Sequence, residues 1–470
     1  MRKQLFAVAA VIAAGCAAAA EVPQEVVSGA AEREATAITV YNDDLALVKE
    51  RRRVVLPAGL VRLGLREVSA QMRPETALLR AASGHPITLV EQNFDFDLLT
   101  PAKLLEKYVG REVIVLRSHP TTGEERREKA TVLAANGGTV LRFADRIETG
   151  VPGRIVFDSV PANLRDRPTL SVLLEAAGGA QSLELSYLTG GLSWKADYVA
   201  NLSTDGAHMD LSGWVTLTNR SGAAYDGATL QLVAGTVNRV RQPQQQVAYA
   251  MSAPSPVAKR ADVAQESLMD YHLYSFERPT SIADNQTKQL ALLSAVAIPV
   301  RREYLLAGSE YYYRERYGQI GQKLKPVVYV EFANKGGQLG KPLPGGVVRV
   351  YARDSKGAAQ FVGEDRVEHT AKNEKVRLKL GEAFDITAER RQVSYKKLGD
   401  TTAESAFRID LRNAKEEAVT VRVQEPLPGD WEIVQESLKG TRESARIVAW
   451  DVTVPASGAA VLEYTARVRW

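Results

Sequence analysis

The sequence predicts a mostly β, multidomain protein: an N-terminal β-region with an inserted small SH3-like barrel, followed by two Ig-like β-sandwiches. Three observations predict this. Apolar and polar residues alternate with period two along much of the chain, the mark of strands with one face in a core and the other in water. Gly, Asn and Asp punctuate these runs at spacings of roughly eight to twelve residues, as turns between short antiparallel strands do. The third is length: 470 residues exceed one ordinary core and suit two or three domains.

Composition narrows the class of protein. A hydrophobic fraction of 45% with 25% charged residues is that of a globular chain. The formal net charge is only +4, so no basic stripe or acidic surplus points to nucleic acid or to a strongly charged substrate.

In chain order, the first element is a leader. Arg2 and Lys3 precede an apolar run from Leu5 to Ala14 and a tract of small residues from Ala13 to Ala20, which together predict a signal peptide over 1–20 and export. The run is too short for a membrane-spanning helix. Two cleavage points compete. Ala18-Ala19-Ala20 before Glu21 suits ordinary cleavage, whereas Ala13-Ala14-Gly15-Cys16 resembles a lipoprotein box, ending the leader before Cys16 and making Cys16 a lipidation site. Cys16 is the one cysteine of the chain, so no disulfide is available and stability must come from core burial.

Residues 21–35, small and polar, read as a linker. An N-terminal β-domain follows over 36–185. Its one helix starts at the N-cap Thr100 with Pro101 in the first turn and stops at Gly110, and short strands around Val113–Leu116, Ala130–Leu133, Thr139–Leu141 and Ile155–Phe157 give the small barrel at about 100–160. The first sandwich is expected over 186–320, opened by the alternating Trp194, Ala196 and Tyr198 and interrupted by a long loop at 241–270, rich in Gln, Pro and Ser. The second sandwich is expected over 321–470. There Phe407, Ile409 and Leu411 are answered across the 413–417 turn by Val419, Val421 and Val423, and Leu462, Tyr464, Ala466, Val468 and Trp470 form the last strand. An aromatic-ended final strand also suits an outer-membrane barrel, but the other strands lack a sustained lipid-facing band.

Several blocks of this second half are distinctive in order: Leu192-Ser193-Trp194-Lys195-Ala196-Asp197-Tyr198, Val348-Arg349-Val350-Tyr351 through Phe361-Val362-Gly363-Glu364-Asp365, Gly381-Glu382-Ala383-Phe384-Asp385-Ile386, and Asp430-Trp431-Glu432-Ile433. With them, residues 186–470 resemble the bacterial domain-of-unknown-function 4139 family. The resemblance implies exported or envelope-associated β-rich proteins, and it brings no reaction, cofactor or catalytic residue with it.

Candidate sites are few. Glu364, Asp365 and His369, with Asp354, form the densest acid and imidazole cluster on expected loops. Two carboxyl groups with separated pKa values are what glycoside hydrolysis needs, and the same oxygens suit Ca²⁺. The plainer role is a turn at Asp354 and a salt-bridged corner at Glu364-Asp365. The five histidines are scattered, without zinc-ligand spacing, and no Gly-x-Ser-x-Gly elbow or phosphate loop occurs. The tract Tyr311, Tyr312, Tyr313, Arg314, Tyr317 is read either as a strand or as a binding surface, since tyrosine and arginine serve both. The expected function is therefore that of a non-enzymatic binding or scaffold protein of the cell envelope. Its partner would be an envelope protein or a glycan, with no cofactor, no metal and no nucleic acid, and with membrane attachment only through Cys16. The alternative is a hydrolase of envelope polysaccharide using Glu364 and Asp365.

Overall fold

The computed structural model describes residues 25–95, 97–119, 121–150, 153–161, 164–235, 237–238, 263–268 and 271–470. The expected leader with Cys16 and most of the 241–270 loop lie outside them. Within them the chain is mostly β, arranged in several sheets. Two units are distinguished: Met1–Thr36 with Val48–Thr189, and Ala37–Leu47 with Gly190–Trp470.

In the first unit the strand Thr169–Thr189 is the backbone of the sheet. Ile87–Asp95 and Leu78–Ser83 pair antiparallel with successive halves of it. Glu25–Ser28, inside the expected linker, is a strand that pairs in parallel with Arg62–Leu65. Gly178 stands where a Cβ would lie 3.1 Å from the backbone nitrogen of Ala58, and its φ of +90° suits glycine alone at that approach. The inserted region is a five-stranded antiparallel sheet built around Tyr108, Val113, Val115, Val132 and Leu141. Its helix, Pro101–Lys107, is capped as its sequence requires, with Thr100 Oγ1 accepting from Lys103 N at 3.1 Å.

The second unit departs from the expected order of strands in three places. First, Gly346–Arg353 and Ala359–Val367, expected in the C-terminal sandwich, extend the sheet of Gln286–Pro299, His208–Asn219 and Leu192–Leu202, with Leu192–Leu202 and Gly346–Arg353 in parallel. Alternation sets which face of a strand is buried, but it carries no information on the neighbour. Second, Val263–Leu268, inside the expected loop, is a strand paired with Tyr271–Phe276, which continues through Tyr225–Ala234 to a parallel partner at Ala37–Tyr41. Third, Thr402–Asn413 and Val419–Pro426 do not pair as a hairpin. They lie in different sheets, and the chain arches between them.

Those two sheets form the C-terminal sandwich. One runs Lys375–Glu382, Val327–Ala333, Arg301–Ala307, Val419–Pro426, Ile447–Val454, Thr441–Arg442. The other runs Gln319–Leu324, Ile386–Lys397, Thr402–Asn413, Ala459–Arg469, Asp430–Glu436. Phe407, Ile409 and Leu411 from one meet Val419, Val421, Val423 and Trp450 from the other in a single core. This layer thus begins at Arg301, ahead of the expected 321. Its last strand buries Leu462, Tyr464, Ala466 and Val468, leaving Trp470 at 44% exposure. No described helix is long and apolar enough to cross a membrane.

Candidate functional site

The acidic corner is built by the hairpin of Gly346–Arg353 and Ala359–Val367, and its groups are engaged in holding that hairpin. Asp354 Oδ1 accepts from the amides of Lys356 and Ala358, both at 2.9 Å, and Oδ2 accepts from Gln360 Nε2 at 3.1 Å. These bonds, Ala358 first and then Gln360, hold its carboxyl below the usual range. Glu364 faces its cross-strand partner Arg349 at 3.2 Å, and Arg349 reaches Asp197 on the next strand, also at 3.2 Å. Asp365 accepts from its neighbour Arg366 N at 2.9 Å and from Lys379 N at 2.7 Å. Adjacent residues of a strand point to opposite faces, so Glu364 and Asp365 do not converge on one bond of a substrate. His369 lies past the strand end, where Nδ1 accepts from Gly345 N at 3.0 Å and surrounding protein atoms pull its pKa below 6.5. Among the described residues no group of three or more His, Cys, Asp or Glu is placed to hold a metal ion.

The tyrosine tract is not the strand that one of its two readings expected. Glu310–Tyr313 is a single turn of 3₁₀-helix, and its tight winding sends neighbouring tyrosines in different directions. Tyr313 points into the sandwich core with no exposed surface, its ring edge-on to Phe407 at 5.0 Å. Tyr311 is 50% exposed and Tyr317 39% exposed, and their rings meet edge to face at 5.4 Å. Tyr312 lies between, its ring 4.6 Å from that of Tyr311. Arg314 is exposed, and its carbonyl accepts from Tyr395 Oη at 2.8 Å.

Beneath the turn is a buried polar cluster. Arg390 Nη2 and Glu425 Oε1 form an ion pair at 2.7 Å with side chains 1% and 0% exposed. Tyr313 Oη donates to Glu425 Oε2 at 3.3 Å and shares a 2.9 Å hydrogen bond with Tyr464 Oη. The Arg390 guanidinium lies 5.2 Å from the Tyr312 ring centroid and donates to Ala307 O at 3.2 Å. Gln392, two residues along, donates to the carbonyls of Tyr312 and Glu315 at 3.0 Å each and accepts from Tyr317 N at 2.8 Å. Gly308 makes room for the acid, since a Cβ there would overlap Glu425 Oε2 at 1.7 Å. Burial pushes the Glu425 carboxyl above its usual range and the Tyr313 and Tyr464 hydroxyls well above theirs. Burial also opposes the charge of Arg390, but Glu425 and the tyrosines more than offset it, so that guanidinium is held above its usual value.

Sequence reasoning named the tyrosines and missed Arg390, Gln392 and Glu425. A signal for them exists. Arg390 and Gln392 continue the inward phase of Ile386 and Ala388, and Glu425 continues that of Val419, Val421 and Val423. A charge in the buried phase of a strand demands a partner, and two such strands supply opposite signs.

These features define a β-rich protein whose C-terminal sandwich presents two tyrosines, one on a 3₁₀ turn and one just after it, on a backbone locked from below. The domain-of-unknown-function family DUF4139 matches residues 183–470, and the chain belongs to that family. No curated protein matches the chain.

Proposed function

We propose that this is an exported, non-enzymatic binding protein of the cell envelope, and that it engages a partner protein through the surface formed by Tyr311, Tyr317 and Arg314. The observation that carries the reading is the rigid presentation of Tyr311 and Tyr317. Tyr311 projects from the 3₁₀ turn, which the buried Tyr313 anchors in the core, and Tyr317 from the stretch that follows it, and Gln392 fastens the backbone of both. Such pre-organised tyrosine, flanked by arginine, is the chemistry of interface hot spots, because little side-chain entropy is lost on binding. Export rests on the basic, apolar and small-residue order of residues 2–20. The hydrolase alternative has no support in the opposed directions of Glu364 and Asp365.

A photoreactive residue at the exposed position 316, in cells of the native host, tests the surface. A discrete crosslinked partner is expected, lost when Tyr311→Ala and Tyr317→Ala are combined. An adduct of undiminished yield in that double variant, or no adduct at all, rejects the proposal. Intact mass of the soluble and membrane fractions tests export. A chain starting at Glu21 or at a lipid-modified Cys16 is expected, and an uncleaved Met1 chain in the cytoplasm rejects it.

A further inference from the structure

Away from the tyrosine turn, a groove of about 540 Å³ opens within the second unit. One wall is the segment Ala295–Arg301, where Gln286–Pro299 hands over to Arg301–Ala307. The other comprises the end of Val327–Ala333, the 335–339 loop and Lys375. Ala295, Ile298, Phe332 and Leu339 are buried at its base, between 1% and 7% exposed, and Val296 stands at the rim at 57%. The floor is thus apolar, and the volume lies in the range of roughly 300–1,000 Å³ typical of small-ligand sites.

The rim carries charge of one sign in excess. Arg301, Lys335 and Lys375 border the groove with a single acid, Glu331. That one carboxylate oxygen serves both Lys375 at 3.1 Å and Arg301 at 4.0 Å, and Lys335 has no side-chain partner among the described residues. The wall is also held in an unusual backbone state. Ala297 has φ of +53°, a left-handed conformation that a non-glycine residue adopts at a cost. Side chains hold it there: Gln338 Oε1 accepts from Val296 N at 2.6 Å and Asp210 Oδ1 accepts from Ala297 N at 2.9 Å. Strain of this kind persists where surrounding groups over-determine it, and it gathers at ligand sites.

The geometry points to a site for an amphipathic anion: an unbranched acyl chain lying on Ala295, Ile298, Phe332 and Leu339, with its anionic head between Lys335 and Lys375. Neither the tyrosine surface nor the partner proposed for it enters this assignment. The shared chemistry is an acyl anion, whether a free long-chain carboxylate or the chain and head of an anionic lipid.

Titration calorimetry on the mature full-length protein, with octanoate, decanoate and dodecanoate below their micelle concentrations, tests the site. Affinity is expected to rise about three- to fourfold per added methylene, as burial of each methylene implies. Dodecylamine should bind at least tenfold more weakly than dodecanoate. Lys335→Glu combined with Lys375→Gln should weaken dodecanoate by tenfold or more, and Lys335→Glu alone, which breaks no ion pair, guards against a folding defect. A spin-labelled stearate should broaden the methyl signals of Ile298 and Leu339, and competition by anionic phospholipid vesicles, present or absent, separates the lipid source from the free acid. Binding independent of chain length, as a simple anion or an acidic peptide would give, overturns the assignment. So do equal affinity for the amine, indifference to both lysine changes, or broadening confined to other methyls.

Discussion

At the scale of single residues, the buried ion pair of Arg390 and Glu425 shows what holds a charge inside this core. Two charges withdrawn from water cost several kcal/mol each, and their attraction returns this only where further polar groups support the pair; here Tyr313, Tyr464 and Ala307 O do so in part, while Arg390 Nε makes no hydrogen bond. Breaking the pair from one side is therefore worse than removing it whole. Arg390→Ala should lower the unfolding free energy by roughly 3–5 kcal/mol in urea titration, because Glu425 is left buried without its partner. Arg390→Met with Glu425→Leu should recover most of that loss. If the double variant proves no more stable than Arg390→Ala, the pair is not the unit that stabilises this core. The acid corner teaches the converse. Glu364 and Asp365 stand out in the sequence as neighbours, yet neighbours on a strand are the two residues least able to share a face.

At the scale of elements, alternation revealed strands well and partners poorly. Phe407, Ile409, Leu411 and Val419, Val421, Val423 are each buried in the expected phase. The turn between them reads equally well as a hairpin or as an arch between sheets. Asn413 braces the arch: its Nδ2 donates to Glu417 O at 2.8 Å and Pro455 O at 3.0 Å, and its Oδ1 accepts from Lys415 N at 3.0 Å. Asn413→Ala should therefore cost about 1–2 kcal/mol, since three hydrogen bonds to partly buried backbone groups are lost. Thermal unfolding followed by circular dichroism measures this, and a change within experimental error would mean that the arch is held by its strands alone. The tyrosine turn shows the same limit from another side. Its residues suit a strand by propensity, and a short 3₁₀ turn carries no periodicity long enough to be read.

At the scale of the whole molecule, one strand of the second unit comes from far upstream. Ala37–Tyr41 pairs in parallel with Thr229–Val233, although the family match begins at residue 183. A chain starting at 183 lacks this partner and exposes the apolar edge of Tyr225–Ala234, an invitation to pairing between molecules. Size-exclusion chromatography should show it associating, and a peptide spanning 37–47 should return it to the monomer. A monodisperse monomer without the peptide would show that the upstream strand is dispensable.

The sequence by itself determined the β class, the buried phase of the strands, the capped helix at Thr100 and the family, because each rests on local periodicity, local capping chemistry or blocks of residues in order. Only the tertiary structure decided that Gly346–Val367 joins Leu192–Leu202, that the last sandwich begins at Arg301, and that Arg390 meets Glu425 under the tyrosines. Those facts depend on which strand lies beside which. Backbone hydrogen bonding is the same for every neighbour, so that choice is made by the packing of the whole core and leaves no mark in any one stretch of chain.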